Sequence, residues 1–153
     1  MDGLVKVSGF STNLLTGLAV YLAAAGIGAT WNASGAYGVL DTGIVLGTLP
    51  QTPDRVICLT AYGVSDSPSL SDSVLGVQIR CRWGGADPRP VDDLNDSIFS
   101  ILHGKTAFTL STGVVVVQAL RQSTASLGQD EGRRWSMTAN YYLTVHRPST
   151  YRT

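Results

Sequence analysis

The chain has 153 residues, which suits one domain that buries about two-thirds of its unfolded surface without disulfides or metals. Eleven basic and eleven acidic residues give a formal net charge of zero, which excludes a broad electrostatic basis for binding nucleic acid or an anionic membrane. Charged residues are only 14% of the chain, against about 25% in ordinary soluble domains, so we expect other subunits to cover part of the surface.

The first predicted element is an amphipathic helix from Ser11 to Ala25. Ser11, Thr12 and Asn13 offer side-chain oxygens for capping its first turn, and Gly26 can end it in a left-handed conformation. Its apolar stripe is formed by Leu14, Leu18, Tyr21, Leu22 and Ala25. We expect this helix to lie across a sheet.

The apolar run from Leu14 to Ala29 has an alternative interpretation as a secretory signal segment. Lys6 is the only positive charge before it, and Thr16 and Gly17 interrupt it, so the helix is the favoured interpretation. The run is also too short for a membrane span.

The glycine-rich region from Ile27 to Gly47 is ambiguous. Tyr37–Asp41 and Ile44–Leu46 could each form a short strand, with turns at Asn32–Gly35 and Asp41–Gly43.

Two strands and a loop are predicted after a turn at Pro50–Asp54. Arg55–Tyr62 is apolar on both faces, as expected of a central strand, and should pair with Leu75–Trp83. The Ser/Asp/Pro-rich segment Gly63–Ser73 between them predicts an exposed, mobile loop.

A strand with one buried face and a second helix form the clearest unit of the chain. The helix begins near Pro90, which suits a first helical turn, carries Asp92 and Asp93 near the positive end of its dipole, and ends at Gly104. On the strand, the alternate residues predicted to be buried are Leu75, Val77, Ile79, Cys81 and Trp83.

The last third of the chain predicts two further strands. Gly113–Gln122 is rich in valine and needs neighbours on both edges, and Ser123–Gly132 is a polar connector. Arg134–His146 alternates between apolar and polar residues, and residues 148–153 form a flexible tail. The fold class is therefore α+β: a mostly antiparallel sheet with two amphipathic helices packed on it, in one domain spanning 1–147.

Motifs for chemistry are absent from the sequence. It contains no nucleophile elbow, phosphate-binding loop, zinc-protease motif or paired C-x-x-C, so we predict no catalytic residues, no metal ligands and no cofactor. A zinc site would have to join His103 and His146 to Cys58 and Cys81, which lack the local ligand pairs typical of zinc sites. Two buried, reduced thiols are the simpler interpretation.

Arginines on the polar faces of the strands provide candidate contacts with other subunits. They could be an ordinary solvated face, or could meet carboxylates of a neighbouring copy, since both signs occur in equal number. The candidate subunit-interface residues are Gln78, Arg80, Arg82, Asp92, Asp93, Arg121, Asp130 and Arg134.

Three segments resemble the tail terminator, or minor capsid, proteins of long-tailed bacteriophages. They are an N-terminal helix ending in small residues (LLTGLAVYLAAAGIG), a strand leading through a loop into a helix (VQIRCRWGG to DDLNDSIFSIL), and a C-terminal run (SLGQDEGRRWSMTANYYLTVHRP). Together they span most of the chain, although none is a catalytic motif.

The resemblance implies a structural virion protein, assembled in the bacterial host cytoplasm, that forms a ring, usually of six copies, at the head-proximal end of the tail tube. Its partners would be the tail tube protein on one ring face and a head-completion or connector protein on the other. DNA would pass through the lumen without sequence-specific binding, and no membrane is involved. The loops expected to contact these partners contain Asp66, Ser67, Asp72, Gln129 and Glu131. The alternatives are a small β-rich binding module without catalytic activity and an enzyme with an unrecognised site.

Overall fold

Both helices pack on the same face of one seven-stranded sheet. The computed structural model describes residues 9–152, so the first eight residues of the predicted domain and the last residue of the predicted tail lie outside the described part. The elements, in chain order, are α1 (Phe10–Ala24), β1 (Thr30–Trp31), β2 (Thr42–Leu46), β3 (Arg55–Asp66), β4 (Asp72–Gly84), α2 (Arg89–Leu102), β5 (Thr106–Thr109), β6 (Val115–Gln129) and β7 (Arg134–His146).

The strands lie in the order β1-β2-β3-β4-β7-β6-β5. β1, β2 and β3 run parallel to one another, and every other neighbouring pair is antiparallel. The predicted α+β class with a mostly antiparallel sheet is therefore confirmed.

The core lies between the helices and one face of the central strands, which we call the helix face. The predicted alternation of β4 is confirmed for Leu75, Val77, Ile79 and Cys81, which are all buried there, whereas Trp83 is half-buried. β7 adds Tyr141 and Leu143, and α1 adds a stripe of leucines; all belong to one apolar cluster. Burial of these side chains is the main force that holds the helices on the sheet.

The opposite face of the sheet carries no helix from the described part of the chain, and we call it the open face. Its central residues are half-buried and mostly polar: Gln78, Arg80, Thr138, Asn140, Tyr142 and Thr144. Near the β4–α2 end of the sheet, the turn Pro50–Asp54 lies against this face, where Arg82 and Arg134 donate hydrogen bonds to its carbonyl groups.

Helix α1 differs from the prediction at its start. Gly9 is the capping residue and makes no side-chain cap, while Ser11, Thr12 and Asn13 lie within the helix. Gly17 allows a close approach to the segment before β6, because a Cβ at this position would lie 2.7 Å from both Leu110 Cβ and Thr112 Oγ1. The helix ends as predicted, with Gly26 at a positive φ of 77°.

Helix α2 follows the prediction closely. It contains Pro90 in its first turn with Asp92, and Gly104 beyond its end has a φ of 83°. Asp87 also supports the start of the helix, since its carboxylate accepts the backbone N–H of Arg89 at 3.0 Å.

Of the two short strands predicted in the first half of the chain, one is confirmed and one is wrong. Ile44–Leu46 lies in β2, whereas Tyr37–Asp41 forms a turn and not a strand. The Tyr37 hydroxyl donates to the Ile44 carbonyl at 2.5 Å, and the Asp41 carboxylate accepts the Gly38 N–H at 2.7 Å. These side-chain contacts hold the turn against β2.

The long strands extend into segments predicted to be loops. β3 ends at Asp66 and β4 begins at Asp72, so most of the loop predicted at Gly63–Ser73 is strand, and only residues 67–71 form a turn. β6 continues to Gln129, so most of the connector predicted at Ser123–Gly132 is strand. The polar residues in these extensions pair with residues of β4 and β7, and this pairing cannot be recognised from the polarity of the segments alone.

The C-terminal segment predicted to be a flexible tail contacts the β3–β4 turn. Arg152 donates to the carbonyl groups of Ser67 at 3.1 Å and Arg147 at 2.6 Å, and to the Ser73 hydroxyl at 3.0 Å. These bonds hold residues 149–152 beside the end of the sheet.

Candidate functional site

The histidines and cysteines lie apart. Within residues 9–152, no group of three or more His, Cys, Asp or Glu side chains could hold a metal ion. The rings of His103 and Phe99 stack with centroids 4.5 Å apart, and His146 lies beside Ser71 and Asp72.

The two thiols project from different faces of the sheet. Cys58 pairs with Arg80 on the open face, whereas Cys81 pairs with Ile57 on the helix face. Both are buried, and burial raises the pKa of Cys58 and raises the pKa of Cys81 to about 12. Neither helix in the described part of the chain is long and apolar enough to cross a membrane.

Arg80 and Arg82 share a strand face but not an environment. The exposed fraction of Arg82 is only 3%, and its guanidinium donates to the carbonyl groups of Pro50 at 2.7 Å, Pro53 at 2.7 Å and Asp54 at 3.0 Å. The expectation that Arg82 extends from an exposed polar face is therefore wrong, because the turn covers it. Arg80 is half-buried and donates from Nη2 to the Ser136 hydroxyl at 3.3 Å, while its Nε has no hydrogen-bond partner among residues 9–152.

Asp130 and Arg134 pair within the subunit. Arg134 Nε lies 3.0 Å from Asp130 Oδ2, and Arg134 Nη1 donates to the Gln51 carbonyl at 2.8 Å. The backbone N–H of Arg134, together with its side chain, lowers the pKa of the Asp130 carboxyl. This pair fixes the β6–β7 turn against the Pro50–Asp54 turn.

The remaining predicted interface residues are divided between the two sides of the sheet. Arg121 lies on the helix face, with its guanidinium 4.3 Å from the centroid of the Phe99 ring. Asp92 and Asp93 are exposed on α2, on that same side, whereas Gln78 lies on the open face beside Arg80. The structure therefore does not bring the eight predicted residues together in one patch.

The residues predicted for axial contacts separate cleanly to the two ends of the sheet. Asp66, Ser67 and Asp72 surround the β3–β4 turn, at the end where β4 begins and β7 finishes. Gln129 and Glu131 flank the β6–β7 turn at the opposite end. Both turns are exposed except for Ser67 and Ser71, which are half-buried.

Two uncovered strand edges are a feature that the sequence did not reveal. β2 pairs with β3 only from Arg55 to Leu59, so the outer edge of β3 from Thr60 to Asp66 has no strand beside it among residues 9–152. β5 pairs with β6 only from Val115 to Gln118, and the outer edge of Gln122–Gln129 is likewise open in the described chain. These segments contain no proline and, apart from Asp66, no charge, but they were predicted to be partly strand and partly loop.

Several large apolar side chains are exposed at the turns and edges. Their exposed fractions are 76% for Val39, 79% for Leu40, 67% for Leu70, 52% for Leu127 and 90% for Tyr151. Single exposed apolar residues are common, but their concentration at turns and open edges marks candidate contact points.

Comparisons with known proteins identify the family. A model of the bacteriophage tail terminator protein family matches residues 21–147. A chain from the virion of a native gene transfer agent particle has a similar fold, with a TM-score of 0.60 and 14% sequence identity over 90% of this chain and 98% of that chain. A search of curated proteins gives no match. Because the family match covers most of the chain, this protein belongs to the bacteriophage tail terminator family and is a structural protein of the phage tail.

Proposed function

We propose that this protein closes into a ring of identical subunits at the head-proximal end of the phage tail tube, where it terminates the tube and joins it to the head-completion or connector proteins. The observation that carries the proposal is the family match over residues 21–147. The ring has six members, as the sequence resemblance implies, and assembles in the cytoplasm of the bacterial host.

The shape of the subunit supports a two-ended role. The β3–β4 turn and the β6–β7 turn lie at opposite ends of the same strands, so a ring with strands inclined to its axis presents one turn on each ring face. One end offers Leu70, with an exposed fraction of 67%, beside Asp66 and Asp72; the other offers Gln129 and Glu131. We infer that one turn meets the tail tube and the other meets the head side.

The charge of the chain supports passage of DNA without specific binding. The formal net charge is zero, and the open face carries mainly uncharged polar side chains. A basic lumen would bind phosphates and slow DNA, because phosphate contacts dominate affinity for nucleic acid. A neutral subunit is compatible with DNA that moves through the ring.

The proposal is tested first by electron microscopy of purified protein and of particles made without it. We expect rings in the first sample, and in the second unjoined tails or tubes of uncontrolled length. Particles that lack the protein yet carry tails of normal length joined to heads would refute the proposed role.

The two-ended role is tested by one variant at each end. Leu70→Glu and Glu131→Arg both change exposed side chains, so we expect stability changes within about 0.5 kcal/mol. We expect one variant to block attachment to the tube and the other to block joining to the head, measured by counting free heads, free tails and joined particles. The same defect from both variants would show that the two turns do not meet different partners.

A further inference from the structure

We propose that neighbouring subunits pair the open edge of β6 in one copy with the open edge of β3 in the next, which continues the sheet around the ring. This inference rests on the proposed ring and assigns its subunit interface. The partner is therefore a second copy of this chain.

The outer edge of β6 is exposed along its second half. The N–H of Arg121 is the last backbone group with a described neighbour on this side, donating to His103 Nδ1 at 2.9 Å. From Gln122 to Gln129 the strand has β7 on one side and no described strand on the other. This segment contains no charged residue and no proline, and Leu127 within it is 52% exposed. An edge without lysine or proline is a template for pairing with another strand.

The outer edge of β3 is exposed along its second half as well. The last contact across this edge is the Gly47 N–H donating to the Leu59 carbonyl at 2.9 Å. The following residues, Thr60 to Asp66, carry no charge except at Asp66. Tyr62 and Val64 expose 39% and 40% of their surface there. The two open edges therefore have similar length and similar composition.

The edges lie on opposite sides of the sheet. β6 is antiparallel to β7, and β7 is parallel in direction to β3, so β3 and β6 run in opposite directions. A copy placed beside the first by rotation about a ring axis presents its β3 edge to the first copy's β6 edge in antiparallel orientation. Such a heterologous contact covers the open segments of β3 and β6 in every subunit once the ring closes. A twofold pairing of two β6 edges would leave both β3 edges open.

Charges at the ends of the two segments select a register. In antiparallel alignment, Arg121 at the start of the β6 edge lies beside Asp66 at the end of the β3 edge. Both residues are on the helix face of their strands, since Arg121 pairs with Tyr141 and Asp66 with Ser73, and the Asp66 side chain is 63% exposed. Opposite charges directly across an antiparallel pair are favourable.

The same register keeps the two faces of the sheet continuous. It places Ser123 beside Ser65 and Ala125 beside Tyr62, all four on the open face. The bulge between Arg121 and Ser123 on β6 then lies next to the bulge between Gly63 and Ser65 on β3.

Cysteine cross-linking tests this pairing. In the Ser123→Cys/Ser65→Cys variant, each β6 cysteine faces a β3 cysteine of the next copy, and a short bis-maleimide should give a covalent ladder that ends at the ring. The native thiols do not interfere, because Cys58 and Cys81 are 5% and 0% exposed. The register control, Ser123→Cys/Ala61→Cys, should cross-link about tenfold less, because Ala61 is displaced along the strand and faces the other side.

The possible results separate the pairing from the ring itself. Wild-type oligomers by light scattering, together with no ladder from the Ser123/Ser65 variant, would overturn the edge pairing and leave the ring standing. Dimers from Ser123→Cys alone would show twofold pairing of β6 edges and also overturn it. A wild-type protein that is monomeric at every concentration and absent as a ring from particles would overturn the ring and the pairing together.

Charge reversal gives a second test. Asp66→Arg should weaken assembly, since it places two positive charges together at the interface. Because Arg152 of the same subunit lies 3.9 Å from Asp66, thermal unfolding is used to check that this variant is folded. Adding Arg121→Asp should restore assembly, because the pair is then re-formed with its signs exchanged. Failure of the double variant to assemble, with each single variant folded, would contradict the predicted register.

Discussion

Replacing Arg82 by methionine should destabilise the fold strongly, although the residue occupies an ordinary polar position in the strand pattern. Its guanidinium makes three hydrogen bonds of 2.7–3.0 Å to carbonyl groups of the Pro50–Asp54 turn. A hydrogen bond to a charged group contributes about 1.5–3 kcal/mol net. Water can reach part of the freed turn, and methionine avoids the desolvation cost of the buried charge, so we expect a total loss of about 3 kcal/mol.

Urea denaturation and thermal unfolding measure this loss. For a chain of this size, about 3 kcal/mol corresponds to a fall of roughly 1–2 M in the urea midpoint and roughly 6–12 °C in Tm. Arg80→Met is the matched control, since Arg80 lies two residues away on the same strand face but makes one long bond of 3.3 Å. We expect its free energy of unfolding to change by about 1 kcal/mol or less. Equal losses in the two variants, or a loss below about 1 kcal/mol for Arg82→Met, would refute this reasoning.

Three further predictions concern packing and titration. Gly17→Ala should lower the free energy of unfolding in urea by about 1–3 kcal/mol, because the added methyl group would lie 2.7 Å from neighbouring atoms. The control Thr16→Ala, in the same helix, should change the free energy of unfolding little, and equal values for the two variants would contradict the close packing. Burial raises the pKa of the Cys81 thiol to about 12, so the free energy of unfolding should fall as pH rises above about 9, where the thiol of the unfolded chain ionises. In Cys81→Ala this fall should be shallower by up to about 1.4 kcal/mol per pH unit, and parallel curves for the two proteins would contradict the prediction. NMR titration should find the pKa of Asp130 below its usual value in the wild type and higher in Arg134→Gln, although still below its usual value because the backbone N–H of residue 134 still donates. A pKa that is the same in both proteins would show that the ion pair does not form in solution.

Much of the fold follows from local pattern. The period-two burial of β4 and β7 and the helical spacing of α2 predicted those elements and their buried faces, because alternation and helical periodicity depend only on which side of an element meets the core. The start of α1 was less predictable, since Ser11, Thr12 and Asn13 could each cap a helix and the structure uses Gly9 instead.

The candidate contact surface was predicted only in part. Each turn follows from a hairpin connection between consecutive strands, and the sequence placed Asp66 and Glu131 near them. That the two turns lie at opposite ends of the sheet depends on the antiparallel pairing of β4 with β7. The sequence did not predict which arginine is buried. Arg80 and Arg82 are equivalent in the strand pattern and differ only in whether the Pro50–Asp54 turn, distant in sequence, lies over them.

The sequence alone determined the α+β class, the low charge, the absence of catalytic motifs and the resemblance to tail terminators. These depend on composition and on the order of elements along the chain. The tertiary structure decided which edges remain open, because that depends on where β2 and β5 stop beside β3 and β6, far away in sequence. Long-range pairing, unlike periodicity, is a property of two segments together, and neither segment alone specifies it.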